Sequence, residues 1–285
     1  MQISWLSQRQ NPDGGWPYVR GASWTEPTVY TVLALLAAGE TEAAGRGVRW
    51  LRATQRADGG WPPLPGVDES VWVTALVALV PPEQLGDLAH RRAIQWLLRT
   101  GGQESAFGYR LRQWLLGNTP GPDSGFPGWP WMPGASAWVG PTSLAILALE
   151  QEGARRPSRA IRERIDSGRR FLLAHACEGG GWNHGSARAL GQDSRPYPET
   201  TGMALAAMRG VRSAKIGQAI GVASSFLAEC RSADALNWLR LGLIAQGRLP
   251  EGYCPPPRVE RRTLPEASLD CLAAQAENGG GLFWG

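Results

Sequence analysis

Five acidic residues stand at or beside the starts of segments rich in Ala and Leu. They are Glu26 in WTEPT, Asp68 and Glu69 in GVDESVW, Glu199 in YPETTGMAL and Glu266 in LPEAS. If these segments are helices running parallel around a ring, their acids gather at one mouth. Crowded carboxylates raise one another's pKa and keep one of their number protonated at neutral pH, as a proton donor requires. The plainer account is that an acid in the first turn favours the positive end of a helix dipole. Trp24, Tyr30, Trp72, Trp138, Tyr197 and Trp238 lie on or just before the same segments. An aromatic lining stabilises a desolvated cation by roughly 2 kcal/mol, and the same rings also serve to fill a core.

Other chemistries have less support. The three histidines are His90, His175 and His184. His175, Cys177 and His184 fall at an outer helix end and a repeat turn, away from the expected cavity, so no metal is expected. No cofactor is implied, since neither GxSxG nor a Walker loop occurs. Arg195, Arg258, Arg261 and Arg262 flank segment starts; they suit a diphosphate, but solvated surface charge is the commoner fate of arginine. The net charge of +4 is scattered, which argues against nucleic acid. Cys177, Cys230, Cys254 and Cys271 form no CxxC pair, and the opening MQISWLSQRQ has no apolar signal core, so a reduced, cytoplasmic setting is expected. The apolar runs are too short to span a bilayer, which leaves peripheral membrane contact open.

The elements that must position these residues repeat. WLSQRQNPDGGW (5–16) recurs as WLRATQRADGGW (50–61) after 45 residues, and more loosely as FLLAHACEGGGW (171–182). Degenerate copies begin at Trp96-Leu97 and Phe226-Leu227. Apolar segments alternate with these copies at 25–39, 69–80, 139–153, 198–210, 235–247 and 264–275. Helices apolar nearly all round are buried, and the Arg- and Gln-bearing copies suit a half-exposed outer layer. Pro27, Pro141, Pro198 and Pro265 mark helix starts; Gly39, Gly153, Gly210 and Gly247 mark helix ends. The expected fold is all-α: one closed α/α barrel over 1–285, with about six inner and five to six outer helices. Residues 100–137, rich in Gly, Pro and Trp, are expected as an insertion over one mouth. Residues 248–262 stand in for a sixth outer helix. Trp5, Trp16, Trp50, Trp61, Trp96, Trp182 and Trp284 are assigned to repeat packing, and Trp114, Trp129 and Trp131 to the insertion.

Arg46, Gly47, Trp50, Leu51, Gln55, Gly59 and Trp61 resemble the QW repeat of the squalene-hopene cyclase, oxidosqualene cyclase and protein prenyltransferase superfamily. Residues 5–16 match its second half. The resemblance implies that Gln10 and Gln55 bond backbone groups at helix ends while Trp16 and Trp61 stack nearby. It also implies a central cavity for an isoprenoid chain. YPETTGMAL is similar to the DxDTT motif of class II cyclases: Glu199 takes the middle Asp position, Thr200 and Thr201 match the pair, and Tyr197 replaces the first Asp. No intact DxDD or DxDTT occurs, and the chain has room for one barrel where bacterial squalene-type cyclases have two.

The expected function is proton-initiated cyclisation or isomerisation of a hydrophobic polyprenoid. Glu199 is the first-choice acid, with Glu26, Asp68, Glu69 and Glu266 as further candidates. Trp24, Tyr30, Trp72, Trp138, Tyr197, Thr200, Thr201 and Trp238 are the candidate substrate contacts. One alternative is a non-catalytic barrel binding an isoprenoid, another lipid or a protein. A second is a protein resembling a prenyltransferase β subunit, although Asp270-Cys271 lacks that branch's zinc-ligand spacing.

Overall fold

An all-round apolar helix needs neighbours on every side, and a one-stripe helix needs them on one side, so the two kinds must pack as layers. The structure, a computed structural model, describes residues 3–105, 108, 112, 115–116, 126–185, 188–189, 192–255 and 262–280. Among them run α1 (Ile3–Gln8), α2 (Thr25–Ala37), α3 (Thr41–Thr54), α4 (Val73–Val77), α5 (Pro82–Leu85), α6 (Asp87–Arg99), α7 (Val139–Arg155), α8 (Arg159–Ala174), α9 (Pro198–Ala207), α10 (Ala214–Glu229), α11 (Ala233–Ala245) and α12 (Leu264–Glu277). Strands β1 (Trp129–Pro130) and β2 (Ala137–Trp138) pair antiparallel, with Trp129 opposite Trp138. A second small ribbon joins β3 (Arg188–Ala189) and β4 (Gln192–Asp193).

The chain is mostly helical, in the expected all-α class. The inner helices touch in a circular order: α2 with α4, α4 with α7, α7 with α9, α9 with α11, α11 with α12, and α12 with α2. At the last join the hydroxyls of Thr31 and Ser268 meet at 3.1 Å. Outer helices α1, α3, α6, α8 and α10 pack against this ring, giving an α/α toroid. Where α9 crosses α11 the backbones meet through Gly202 and Gly242, and a Cβ on either would overlap the facing main chain. No helix among the described residues is long and apolar enough to cross a membrane.

The repeat works as a staple. Trp16, Trp61 and Trp182 each donate an indole N–H to a carbonyl ten residues back: Leu6 at 2.8 Å, Leu51 at 2.7 Å and Leu172 at 2.7 Å. The backbone N–H of each is received by a threonine of the next inner helix, Thr28, Thr74 or Thr201, at 2.9 to 3.0 Å. Gln10 spans the carbonyls of Gly14 and Ala43, and Gln55 those of Gly59 and Ala89. Each such bond contributes about 1 kcal/mol net, and more is lost if a buried carbonyl is left unmet. The glycine two residues before each of these tryptophans has a positive φ, 93° at Gly14, 94° at Gly59 and 92° at Gly180, with the next outer helix against it. A side chain there meets both strain and overlap.

Several boundaries differ from expectation. Gly39, Gly210 and Gly247 do follow helix ends with φ of 79°, 76° and 63°. Gly153 instead lies inside α7, which continues to Arg155; its missing side chain admits Ile161 of α8. Trp129, expected in the insertion, makes the bonds of the repeat. Its indole N–H donates to Leu97 at 2.9 Å, and Thr142 accepts its backbone N–H at 2.9 Å. The Arg164 guanidinium carbon lies over the Trp129 ring, 3.4 Å from the centre, and its N–H groups donate to the carbonyls of Thr100, Pro127 and Gly128. Trp131 packs edge-on against Trp72, with ring centres 4.8 Å apart. Trp114, Trp284, Arg258 and Arg261 lie outside the described residues.

Candidate active site at the acidic rim

Each acid at the second position of an inner helix sits where free backbone N–H groups and the positive dipole end draw negative charge. Glu26 takes this position in α2, Glu199 in α9 and Asp234 in α11, all three half-buried. The ring brings these helix starts to one rim, where the carboxylates feel one another. Asp234 is pushed up to about 8 by burial and by the charges of Glu199, Glu26 and Glu266. Burial raises Glu26 above the usual carboxylate range; the Tyr18 hydroxyl bonded to its Oε2 works against this, and Glu199 adds to it. Burial raises Glu199 too, opposed by nearby His184. Beneath them Tyr30 is buried, its phenol held well above its ordinary value by burial and by the charges of Glu26, Asp234 and Glu199.

Tyr18 is fixed on both sides of its contact with Glu26. Its carbonyl accepts the Leu264 N–H at 2.8 Å, tying the first turn to the start of α12. Its ring meets Trp24 edge-on at 5.5 Å. Across the rim, His184 stands between Trp138 and Tyr197, at 5.6 and 5.1 Å between ring centres. Trp138 and Tyr197 are exposed by 37% and 48%, enough to offer open ring faces beside Glu199. The residue just before α2, α4, α7 and α9 is aromatic in each case: Trp24, Trp72, Trp138 and Tyr197.

The sequence-derived candidates therefore divide. Glu26 and Glu199 meet at the rim. Glu266 lies near enough for its charge to act on Asp234, but its side chain is committed to a capping box, accepting the Thr263 N–H at 2.9 Å while Thr263 accepts the Glu266 N–H. Asp68 and Glu69 are not brought into the cluster. They precede α4 by several residues on an exposed turn, where Asp68 pairs with Arg56 at 2.6 Å and its side chain is 97% exposed. The expected gathering of acids from four such helix starts thus holds for three. Thr200 and Thr201 face the Trp182 turn: both hydroxyls donate to its carbonyl, so they serve the staple and present nothing to a ligand. Trp238 and Tyr30 are almost wholly buried below the rim, and Trp72 is half-buried against Trp131. His175 bonds the Phe171 carbonyl at 2.8 Å and stacks on that ring.

Asp234 escapes sequence reasoning because no proline precedes it and the apolar run begins at Ala235. The helix in fact starts at Ala233, with the Ser232 hydroxyl accepting the Ala235 N–H. The signal that finds it is the pairing of a serine cap with an acid two residues on. Tyr18 carries no such signal, since its contact with Glu26 depends on the path of the turn. Together the rim offers a carboxyl that stays protonated near neutral pH, a second carboxylate steadied by a phenol, and open aromatic faces. Such a set can deliver a proton and stabilise the positive charge that follows.

No curated protein sequence matches the chain. In solved structures the fold is similar to a GH8 endo-beta-1,4-glucanase from an Achatina fulica gut metagenomic library, at 15% identity and a TM-score of 0.62, covering 97% of each chain. It is also similar to the endo-beta-1,4-glucanase CMCax from Acetobacter xylinum, at 13% identity and a TM-score of 0.57, over 97% of this chain and 99% of that one. A protein from Actinoplanes matches at 17% identity and a TM-score of 0.52, over 95% of this chain and 77% of that one. At these identities the likeness concerns the fold. Residues 1–64, which hold the first two repeat copies, Tyr18 and the start of α2 with Glu26, are similar to the squalene-hopene cyclase C-terminal domain.

Proposed function

We propose that the chain is an acid catalyst acting on an isoprenoid-like substrate, with the reaction begun by a proton from Asp234 at the rim of a closed barrel. The observation that carries this reading is the position of Asp234 among Glu26, Glu199 and Glu266, which keeps its carboxyl protonated near neutral pH. Alkene protonation adds the carboxyl proton to one carbon and leaves a cation on its neighbour. The cation then closes a ring or loses a proton to a rim base, and Glu26, held by Tyr18, suits that second role. Trp24, Trp138 and Tyr197 supply π faces for the cation. The squalene-hopene cyclase domain match supports the substrate class. This reading moves the proton donor from Glu199 to Asp234 and leaves Glu199 as the neighbour that raises it.

A second reading is hydrolysis of a β-glycan, where paired carboxylates divide the acid and base roles. Its support is the exposure of Trp138 and Tyr197 at the rim, together with the two endoglucanases of similar fold. The test is to incubate the chain separately with squalene, linear prenyl substrates and soluble cellulose derivatives. Cyclised or isomerised prenyl products, lost in Asp234→Asn and retained in Asp68→Asn, are expected. Turnover of glycan alone would select the second reading. Undiminished prenyl turnover in Asp234→Asn would remove Asp234 from its role.

A further inference from the structure

Two cavities adjoin at the opposite end of the ring, where inner helices finish and outer helices begin. The first, about 610 Å³, lies between the end of α7, the start of α8 and the turn after α9. The second, about 570 Å³, lies between that turn, the start of α10 and the end of α11. Gly210 lines both. Each is in the size range of small-molecule sites.

Their linings share one chemistry. Ile161, Ile165 and Pro157 give the first an apolar wall, and Val211, Ile216 and Ile220 do the same for the second. Arg162, Arg169 and Arg209 line the first and Arg212 and Arg248 the second, against the acids Glu150 and Asp166. Glu150 is already engaged by Arg169, which also donates to the Arg209 carbonyl. The Nε–H of Arg169 is buried without an acceptor. Arg162 is exposed and makes no side-chain bond among the described residues. Helices α8 and α10 enter these cavities with serine caps and no acid in the first turn, unlike α3 and α6, which carry Glu42 and Asp87. Their positive ends are therefore not offset locally.

We propose that this end of the ring is a binding site for an amphiphilic anion, a molecule with a phosphate or carboxylate head and an aliphatic body. The head group sits with Arg162 and Arg209 at the start of α8, and the body lies along Ile161 and Ile165. This site is separate from the acidic rim and takes a ligand of opposite charge preference.

Calorimetric titration of the intact chain with octyl phosphate, below its micelle concentration, tests the proposal. Saturable binding is expected, with inorganic phosphate alone and octanol alone each at least about tenfold weaker. Arg162→Gln, at an exposed side chain outside the packing, is expected to weaken octyl phosphate by about tenfold, and adding Arg209→Gln to weaken it further. Arg91→Gln, on a distant exposed face, is expected to leave it unchanged. No saturable binding, equal affinity in Arg162→Gln, or inorganic phosphate binding as tightly as octyl phosphate would each overturn the proposal. Circular dichroism of each variant separates lost binding from lost fold.

Discussion

The indole N–H of Trp129 donates to the carbonyl of Leu97 across 32 residues, the bond that Trp16, Trp61 and Trp182 make across ten. The longer separation leaves the contact that defines the repeat in place. The cation face of Arg164 on Trp129 replaces the glutamine clasp of the first two copies, and burial lowers this guanidinium to about 10.

Trp129→Phe should therefore destabilise the fold. The smaller ring leaves a void, and the Leu97 carbonyl loses its donor in a buried setting. A loss of about 1–3 kcal/mol is expected. Trp131→Phe, at a half-buried ring outside the staple, should cost less than about 1 kcal/mol. Urea denaturation of both variants checks this. Equal midpoints would mean that Trp129 is insertion filling and no part of the repeat.

Arg240 is buried on α11 and bonded to Asn237 at 2.7 Å, Asp270 at 2.9 Å and Glu277 at 2.7 Å, the last two on α12. Arg240→Ala leaves two acids facing each other without their cation. Such a break costs about 3–5 kcal/mol. A thermal melt with little or no fall in midpoint would show that water or neighbouring groups replace the guanidinium.

How much of this was legible depends on the range of each contact. The staple was readable because Gln55, Gly59 and Trp61 lie within one turn and recur with fixed spacing. Trp129 was hidden because 32 residues separate it from its partner. Glu26 and Glu199 could be read from their place in the first turn of an apolar helix. Asp68 and Glu69 looked alike in sequence, yet α4 starts at Val73 and leaves them on a solvent turn. Thr200 and Thr201 fitted a motif by register, but the hydroxyl direction fixes their partner, and that partner is Trp182. The Tyr18–Glu26 contact depends on the path of the turn between them, and the company around Asp234 on the circular order of the inner helices; no local pattern encodes either.

Tyr18→Phe tests the positioning of Glu26. The phenol donates to its Oε2 and favours the ionised form, against the burial that raises it. Without the hydroxyl, the Glu26 carboxyl should titrate at higher pH than in the parent. Carbon-detected NMR titration of the side-chain carboxyls reads this directly. An unchanged or lowered Glu26 midpoint would mean that the hydroxyl contributes nothing to its charge state.

Asp234→Asn gives the stability counterpart of the proposed proton donor. The carboxyl titrates near 3.8 in an unfolded reference and at about 8 in the folded chain. Between those values the native state holds a proton that the unfolded state has released. The stability contributed by Asp234 is therefore complete below about pH 4 and is lost as pH rises toward 8. The slope from this one group cannot exceed about 1.4 kcal/mol per pH unit. Asparagine removes the dependence, so the stability of the variant relative to the parent should climb from pH 4 to 8 and level off above. Denaturant titrations at intervals across this range give the difference curve. A flat difference would show that Asp234 ionises in the folded chain as it does in water, and the crowding of carboxylates at the rim would then have no hold on its proton.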